Sequence, residues 1–289
     1  MVLCAGLGTR LRPLTHELPK PLVPVGDRPL LAHIAQRLRK AGFDELVVNT
    51  HHLPEKFFNL DDVLGIKAHR VHEPRILGTA GGVAGARALF GAPPIVLWNG
   101  DIWAEPTVGD LVLAAADGGL ALGVAPRPVG EGTVGLDADG CVARLRGERF
   151  GVETSGADYI GVAALGRRCL ETLPSEGCLI GDWALPELRA GRRIAGVLSS
   201  APFSDAGDPA AYLELNLRWL GEQAFFVGPG ASVAAGVQLE RSVIGAGVRV
   251  EGEGSVLRVV AWPGAVVKAP LHDAIVTAGG VVVSVGQSR

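Results

Sequence analysis

A chain of 289 residues with 48% hydrophobic and 20% charged residues has enough apolar material for one sizeable core plus a smaller appendage, so one or two soluble globular domains are expected. A formal net charge of −3 and a pI near 6.2 exclude a broad electrostatic footprint for nucleic acid or an anionic membrane and leave only local cationic sites. Cys4, Cys141, Cys169 and Cys178 lack the close paired spacing of a metal site and read as reduced, buried thiols of a cytoplasmic protein. No apolar run reaches the roughly 20 residues that span a bilayer, and no basic region with a cleavage site marks the N-terminus.

The first apolar run, Met1-Val2-Leu3-Cys4-Ala5, reads as a strand that enters a glycine-rich turn, Gly6-Leu7-Gly8-Thr9-Arg10. Bare backbone amides in such a turn approach phosphate oxygens closely. Arg10 adds a forked cation, and Lys20, between Pro19 and Pro21, a point-like one. Only five lysines stand against 22 arginines, which sets Lys20 apart from a casual surface choice; the rival reading of the turn is simple punctuation. Residues 30–42 have apolar residues at helical spacing, basic residues in the last turn and a glycine stop. Residues 46–49, 95–98 and 120–124 are short apolar runs bounded by turn residues, the pattern of buried strands, and residues 81–90 read as a second helix. This alternation predicts an α/β fold with a mostly parallel sheet covered on both faces, in which ligands bind beyond the carboxyl ends of the strands. The Gly6 turn lies at one such end.

Residues 213–220 read as a helix joining two parts, with the boundary near residue 221. Beyond it Val227, Val233 and Leu239, then after a one-residue deletion Ile244, Val250, Val256 and Trp262, recur every six residues; Ala231, Val237, Val243, Val248, Val260 and Val266 mostly fill the position four later. Such hexads predict a short left-handed parallel β-helix of little more than two coils.

Gly6 to Leu22 resembles the signature of the sugar-1-phosphate nucleotidyltransferases, G-x-G-T-R followed by a P-K-P lysine. The likeness continues in order through Leu77-Gly78-Thr79-Ala80-Gly81-Gly82, Asn99-Gly100-Asp101 and Ser204-Asp205-Ala206-Gly207-Asp208-Pro209. The resemblance implies a Rossmann-like catalytic domain over 1–221 and a β-helical tail over 222–289. It also implies Mg²⁺ as cofactor, with an NTP and a sugar 1-phosphate as substrates. Relatives of this kind carry a few more residues before the first strand, so either this start is short or it is misassigned.

The chemistry agrees with the residues. A sugar 1-phosphate attacking the α-phosphorus of an NTP is already ionised and needs no general base; the obstacle is bringing two polyanions together and stabilising the departing pyrophosphate. Asp101 and Asp205 are hard oxygen ligands suited to Mg²⁺; the bland reading of Asp101 is a strand-end turn residue. The resemblance assigns Arg10 to the β- and γ-phosphates and Lys20 to the phosphates where nucleophile and electrophile meet. Ala5, Gly6, Gly8 and Thr9 complete the phosphate loop. Gly78, Thr79 and Gly81 match the base-binding loop, whose rival reading is an ordinary helix entry. For the sugar phosphate the resemblance points to Asn99, Gly132, Glu148, Arg149 and Gly161, although Arg149 and Phe150 replace the family's lysine and proline. Asp182 and Asp208 read as helix caps, and the histidines form no recognisable ligand spacing.

GTP is the favoured nucleotide, on the resemblance of residues 77–81 and Asn49-Thr50-His51-His52 to mannose-1-phosphate guanylyltransferases. UTP or dTTP are the alternatives, since Trp98-Asn99-Gly100-Asp101-Ile102-Trp103 resembles N-acetylmuramate-1-phosphate uridylyltransferases. Two further classes stand beside the enzyme: a silent nucleotide or sugar-phosphate sensor, and a tail acyltransferase with only His272 to offer. The open apolar end of a short coil stack predicts a homo-oligomer, dimer or higher, and deletion of 226–289 is expected to alter oligomer size more than chemistry.

Overall fold

The first apolar run forms a strand in which only Val2–Leu3 pairs, parallel between Glu45–Thr50 on one side and Ile95–Asn99 on the other. These relations come from a computed structural model that describes residues 1–286. Lys67–His72 extends the parallel part beyond Glu45–Thr50. On the far side of Ile95–Asn99, Ser155–Leu165 runs antiparallel and leads on to Val134–Leu136, Val142–Leu145 and Glu148–Arg149. Leu120–Arg127 pairs antiparallel with Ser155–Leu165, and Ala195–Leu198 adds to it in parallel. The sheet is therefore mixed rather than mostly parallel. Helical crossovers deliver parallel neighbours, whereas the tight turns after residue 130 deliver antiparallel ones.

The chain packs as two compact units: Met1–Gly6 with Ile34–Phe203, and Leu7–His33 with Ser204–Arg289. In the first unit, Leu46, Val47 and Val48 are buried in succession, as expected for a strand covered on both faces. The predicted helix runs Leu30–Lys40 and buries Leu30, Leu31, Ile34, Ala35 and Leu38. The second runs Gly78–Ala86 and tightens into a 3-10 turn at Arg87–Leu89, so it begins three residues earlier than its apolar pattern suggests.

In the second unit, Pro209–Leu220 is helical, and Asp208 caps it by accepting the Ala211 amide at 2.9 Å. This helix holds the chain just past the signature segment. Its Asn216 Oδ1 accepts from the Gly26 amide at 2.9 Å, and Tyr212 donates its hydroxyl to the Pro24 carbonyl while accepting from Trp262 Nε1 at 3.0 Å. Beyond the helix, parallel strands stack with an offset of 17 residues: Val227 on Ile244, Val233 on Val250 and Leu239 on Val256. For these pairs the offset equals three hexads less one, but it recurs where Ile244 stacks on Ala261 and Val250 on Val267, beyond the deletion, where three whole hexads would give 18. It shortens to 15 where Val256 pairs with Leu271 and Val260 with Ile275. Ile244, Val250, Val256 and Trp262 are buried, whereas Val227 in the first of these strands remains 38% exposed. A final strand, Val282–Ser284, turns back antiparallel on Ala274–Val276 and has no counterpart in the hexad pattern.

Candidate active site

The signature segment turns sharply at Gly8. Gly8 sits in the left-handed region at φ 61°, and a Cβ there would lie 2.7 Å from Thr15 Cγ2, so only glycine fits. Thr15 in turn donates its hydroxyl to the Gly8 carbonyl at 3.0 Å. Thr9–Leu11 and Lys20–Leu22 are single 3-10 turns. They aim two cations at one carboxylate: Arg10 Nη2 donates to Asp205 Oδ2 at 3.2 Å and Lys20 Nζ to Asp205 Oδ1 at 2.9 Å. Side-chain exposure is 70% for Arg10 and 9% for Lys20, so one cation is open to an incoming anion and the other is sheathed. Three of the four principal candidates are thus brought together across 195 and 185 sequence positions.

The first unit presents the remaining candidates. Ala5 is buried, whereas Gly6 is exposed, and a Cβ at Gly6 would meet nothing within 4 Å. Asp101 follows the carboxyl end of Ile95–Asn99 in a turn closed by Trp98 Nε1 donating to the Ile102 carbonyl at 3.0 Å. Asn99 and Gly161 are neighbours: Gly161 has φ 73°, and a Cβ there would sit 3.0 Å from Asn99 Nδ2. Gly132 lies apart, with its carbonyl accepting from Arg144 Nη1 at 3.0 Å. Glu148 is engaged by Arg189, whose Nε donates to Oε2 at 2.9 Å; this hydrogen bond holds the carboxyl below its usual range. Arg149 is exposed, and its backbone pairs with Arg144.

The Gly78 loop is the first turn of a helix pressed against residues 175–179. A Cβ on Gly78 would lie 2.4 Å from the Gly177 carbonyl, and one on Gly81 2.7 Å from that of Ser175. The Ala80 amide donates to Gly177 O at 2.9 Å, and Thr79 Oγ1 accepts from the Leu179 amide at 2.7 Å. Asp182, expected as a helix cap, instead accepts the Cys178 amide at 2.6 Å and closes this opposing turn. Burial pushes the Cys178 thiol up, but hydrogen bonds from Gly181, Ile180 and Thr79 together with the Arg146 charge outweigh it and leave the thiol below its ordinary value.

Sequence reasoning missed the groups that hold these loops. Buried Asn49 accepts the Cys4 amide at 2.8 Å through Oδ1 and donates through Nδ2 to Glu73 Oε1 at 2.7 Å; Glu73 Oε2 accepts the Leu77 amide at 3.1 Å. One polar chain thereby joins the root of the Gly6 turn to the root of the Gly78 helix. A polar residue ending the apolar run Leu46-Val47-Val48 was its one sequence signal. Arg144 and Glu153 form a second pair, Nε to Oε2 at 2.8 Å, with Arg144 also fastening the Glu131 and Gly132 carbonyls. Hydrogen bonds from Arg144 and the Gly130 amide draw the Glu153 carboxyl down to about 2. Among the described residues, no group of three or more His, Cys, Asp or Glu side chains is placed to hold a metal, and no helix is long and apolar enough to cross a membrane.

Residues 1–133 match the nucleotidyl transferase family. The N-acetylmuramate α-1-phosphate uridylyltransferase of Caulobacter vibrioides is 34% identical over 240 residues, 75% of this chain and 95% of that protein. A probable mannose-1-phosphate guanylyltransferase of Oryza sativa is 28% identical over 271 residues, 89% of this chain and 74% of that protein. Among solved structures, HddC from Yersinia pseudotuberculosis complexed with GMP-PN superposes with a TM-score of 0.62 at 21% identity, over 75% of this chain and 97% of that one, a likeness of fold. The signature turn, its converging cations and these relatives agree: the chain belongs to the sugar-1-phosphate nucleotidyltransferases, enzymes that join a nucleotide to a sugar 1-phosphate.

Proposed function

We propose that this protein transfers GMP from GTP to mannose 1-phosphate or a close hexose analogue, releasing pyrophosphate, with Mg²⁺ held by Asp101 and Asp205. The observation that carries the transfer chemistry is the convergence of Arg10 and Lys20 on Asp205. Asp205 fits a metal ligand: each carboxylate oxygen engages one cation and keeps a lone pair, and the side chain is 39% exposed. Two carboxylates suffice for Mg²⁺, which takes its other ligands from phosphates and water. The bound ion supplies neutralising charge at the reacting phosphates. Arg10, already open to solvent, exchanges its carboxylate partner for the β- and γ-phosphates and follows the pyrophosphate as it leaves. Lys20, with little freedom, stays beside the α-phosphate and the sugar phosphate and balances the charge that grows there. Ala5, Gly6, Gly8 and Thr9 line the triphosphate with backbone amides, and Gly78, Thr79 and Gly81 frame the base. On the sugar side we assign Asn99, Gly132, Glu148, Arg149 and Gly161, with Glu148 exchanging Arg189 for a sugar hydroxyl.

The guanylyl reading is supported by the relative whose similarity spans 89% of this chain and so reaches into the C-terminal coils. Transfer of UMP to N-acetylmuramate 1-phosphate is the second reading, favoured by the higher identity over nearly the whole of the Caulobacter protein. We further infer that the 17-residue stack is a left-handed parallel β-helix that begins after a catalytic domain ending near 221. The same reading has the first coil mediate self-association and the enzyme work in the cytoplasm. Pyrophosphate release across GTP, UTP, dTTP, ATP and CTP, each with mannose, glucose and N-acetylmuramate 1-phosphates, tests the substrate. The expected optimum is GTP with mannose 1-phosphate. An optimum at UTP with N-acetylmuramate 1-phosphate replaces the first reading with the second, and light scattering of the purified protein reads the oligomer.

A further inference from the structure

We propose that the last turn of the C-terminal stack, Thr277–Val281, is a positioning element for catalysis that grips the signature segment through Glu17. Glu17 lies between Arg10 and Lys20, ending the 3-10 turn Leu14–His16, with its amide on the Leu14 carbonyl at 3.1 Å. Both of its carboxylate oxygens are taken by the turn: Oε1 accepts the Thr277 hydroxyl, and Oε2 accepts the Gly279 amide at 3.0 Å. The gripping turn is itself braced. Thr277 is fully buried, its amide donates to the Val281 carbonyl at 2.9 Å, its carbonyl accepts from the Gly280 amide at 3.1 Å, and its Oγ1 accepts from the Val281 amide at 3.1 Å. At Gly279 a Cβ would lie 2.7 Å from Glu17 Oε1, so a side chain there would push the carboxylate away from the turn.

The signature segment is therefore fixed at one place within it and one just past its end by residues far along the chain. Tyr212 and Asn216 hold Pro24 and Gly26, and Thr277 and Gly279 hold Glu17. Lys20 lies between those two anchors, and Arg10 lies one short turn ahead of Glu17. A charge-assisted hydrogen bond fixes a carboxylate more firmly than a neutral one does, and displacement of a catalytic group by about 1 Å can cost on the order of a hundredfold in rate. The proposal predicts the opposite of the expectation that deleting the tail alters oligomer size more than chemistry, because removing residues 226–289 also removes both partners of Glu17.

The inference rests on the nucleotidyl-transfer reading, and the test separates the two. Full-length wild type, Thr277→Val, Thr277→Ser, Glu17→Gln and the Glu17→Gln/Thr277→Val double variant are compared by steady-state pyrophosphate release and by hydrogen exchange of residues 9–22. We expect Thr277→Val and Glu17→Gln each to lower kcat about tenfold with little change in KM for the sugar phosphate, the double variant to be no worse than either single, and Thr277→Ser to restore wild-type turnover. Exchange of 9–22 should rise in the two impaired variants. A folded Thr277→Val protein with wild-type kcat overturns the proposal and leaves the contact a stability latch. If wild type itself releases no pyrophosphate with any pair, the transfer reading fails; unchanged exchange in Thr277→Val then overturns the clamp on its own.

Discussion

Replacing Gly6 and Gly8 separately by alanine distinguishes a phosphate cradle from a turn that merely redirects the chain. At Gly8 the new methyl falls 2.7 Å from Thr15 Cγ2 in a left-handed backbone. The conformation costs about 1–2 kcal/mol and the crowding about 1–3 kcal/mol, so Gly8→Ala should lose about 2–5 kcal/mol and melt several degrees lower. At Gly6 the added Cβ meets nothing within 4 Å and the backbone is not left-handed. Folding stability should then stay within about 0.5 kcal/mol of wild type, the range of ordinary surface changes. If a phosphate oxygen approaches the amides flanking Gly6, the methyl displaces it and removes one charge-assisted hydrogen bond, about 1.5–3 kcal/mol. That is roughly a 10- to 150-fold loss in kcat/KM for the NTP. Thermal melts paired with initial-rate kinetics read both quantities. A Gly6→Ala protein with unchanged Tm and unchanged kinetics would refute the cradle.

Lys20→Ala should lower kcat by about 10²–10³, the usual cost of removing one preorganised charge from a transition state, with Tm little changed because Asp205 retains Arg10; initial rates and a melt check both. Gly26→Ala places a Cβ 2.1 Å from the Trp219 ring at φ 62°, and a loss of about 2–4 kcal/mol is expected in urea titration. Because Glu153 titrates near 2 in the folded protein against an ordinary 4.5, its stabilisation is complete above about 4.5 and is lost as pH falls toward 2. Glu153→Gln should be less stable at pH 7 yet lack that share of the acid slope in melts from pH 6 to 3.

Much of the fold was legible because its signals are local. The helix over Leu30–Lys40 announces itself by apolar spacing, basic end and glycine stop. The 17-residue offset of the first stacked pairs matches three hexads less one residue, whereas the same offset beyond the deletion is not given by the hexads. The antiparallel half of the sheet was not legible, since its strands carry the same apolar runs as parallel ones and only the connections differ. Arg10, Lys20 and Asp205 could be proposed together through the signature, and their ion pairs bring them together. The Asn49–Glu73 chain and the Glu17 grip escaped notice for one reason: each turns on a polar residue, Asn49 or Glu17, whose partners lie 24 to 262 positions away, and no periodicity encodes such a pairing. Glu148 shows the converse, a candidate chosen by its place in a pattern whose carboxylate the fold gives to Arg189.

The central claim is that Arg10, Lys20, Asp101 and Asp205 act together on one Mg²⁺-dependent transfer. Its most direct measurement is formation of the nucleoside-diphosphate sugar by wild type, Asp101→Asn and Asp205→Asn proteins across a Mg²⁺ titration. The account predicts stoichiometric pyrophosphate and sugar nucleotide from wild type, none without the metal, and in both variants a steep fall in kcat with a raised Mg²⁺ requirement. Wild-type rates and Mg²⁺ dependence in either folded variant would contradict it.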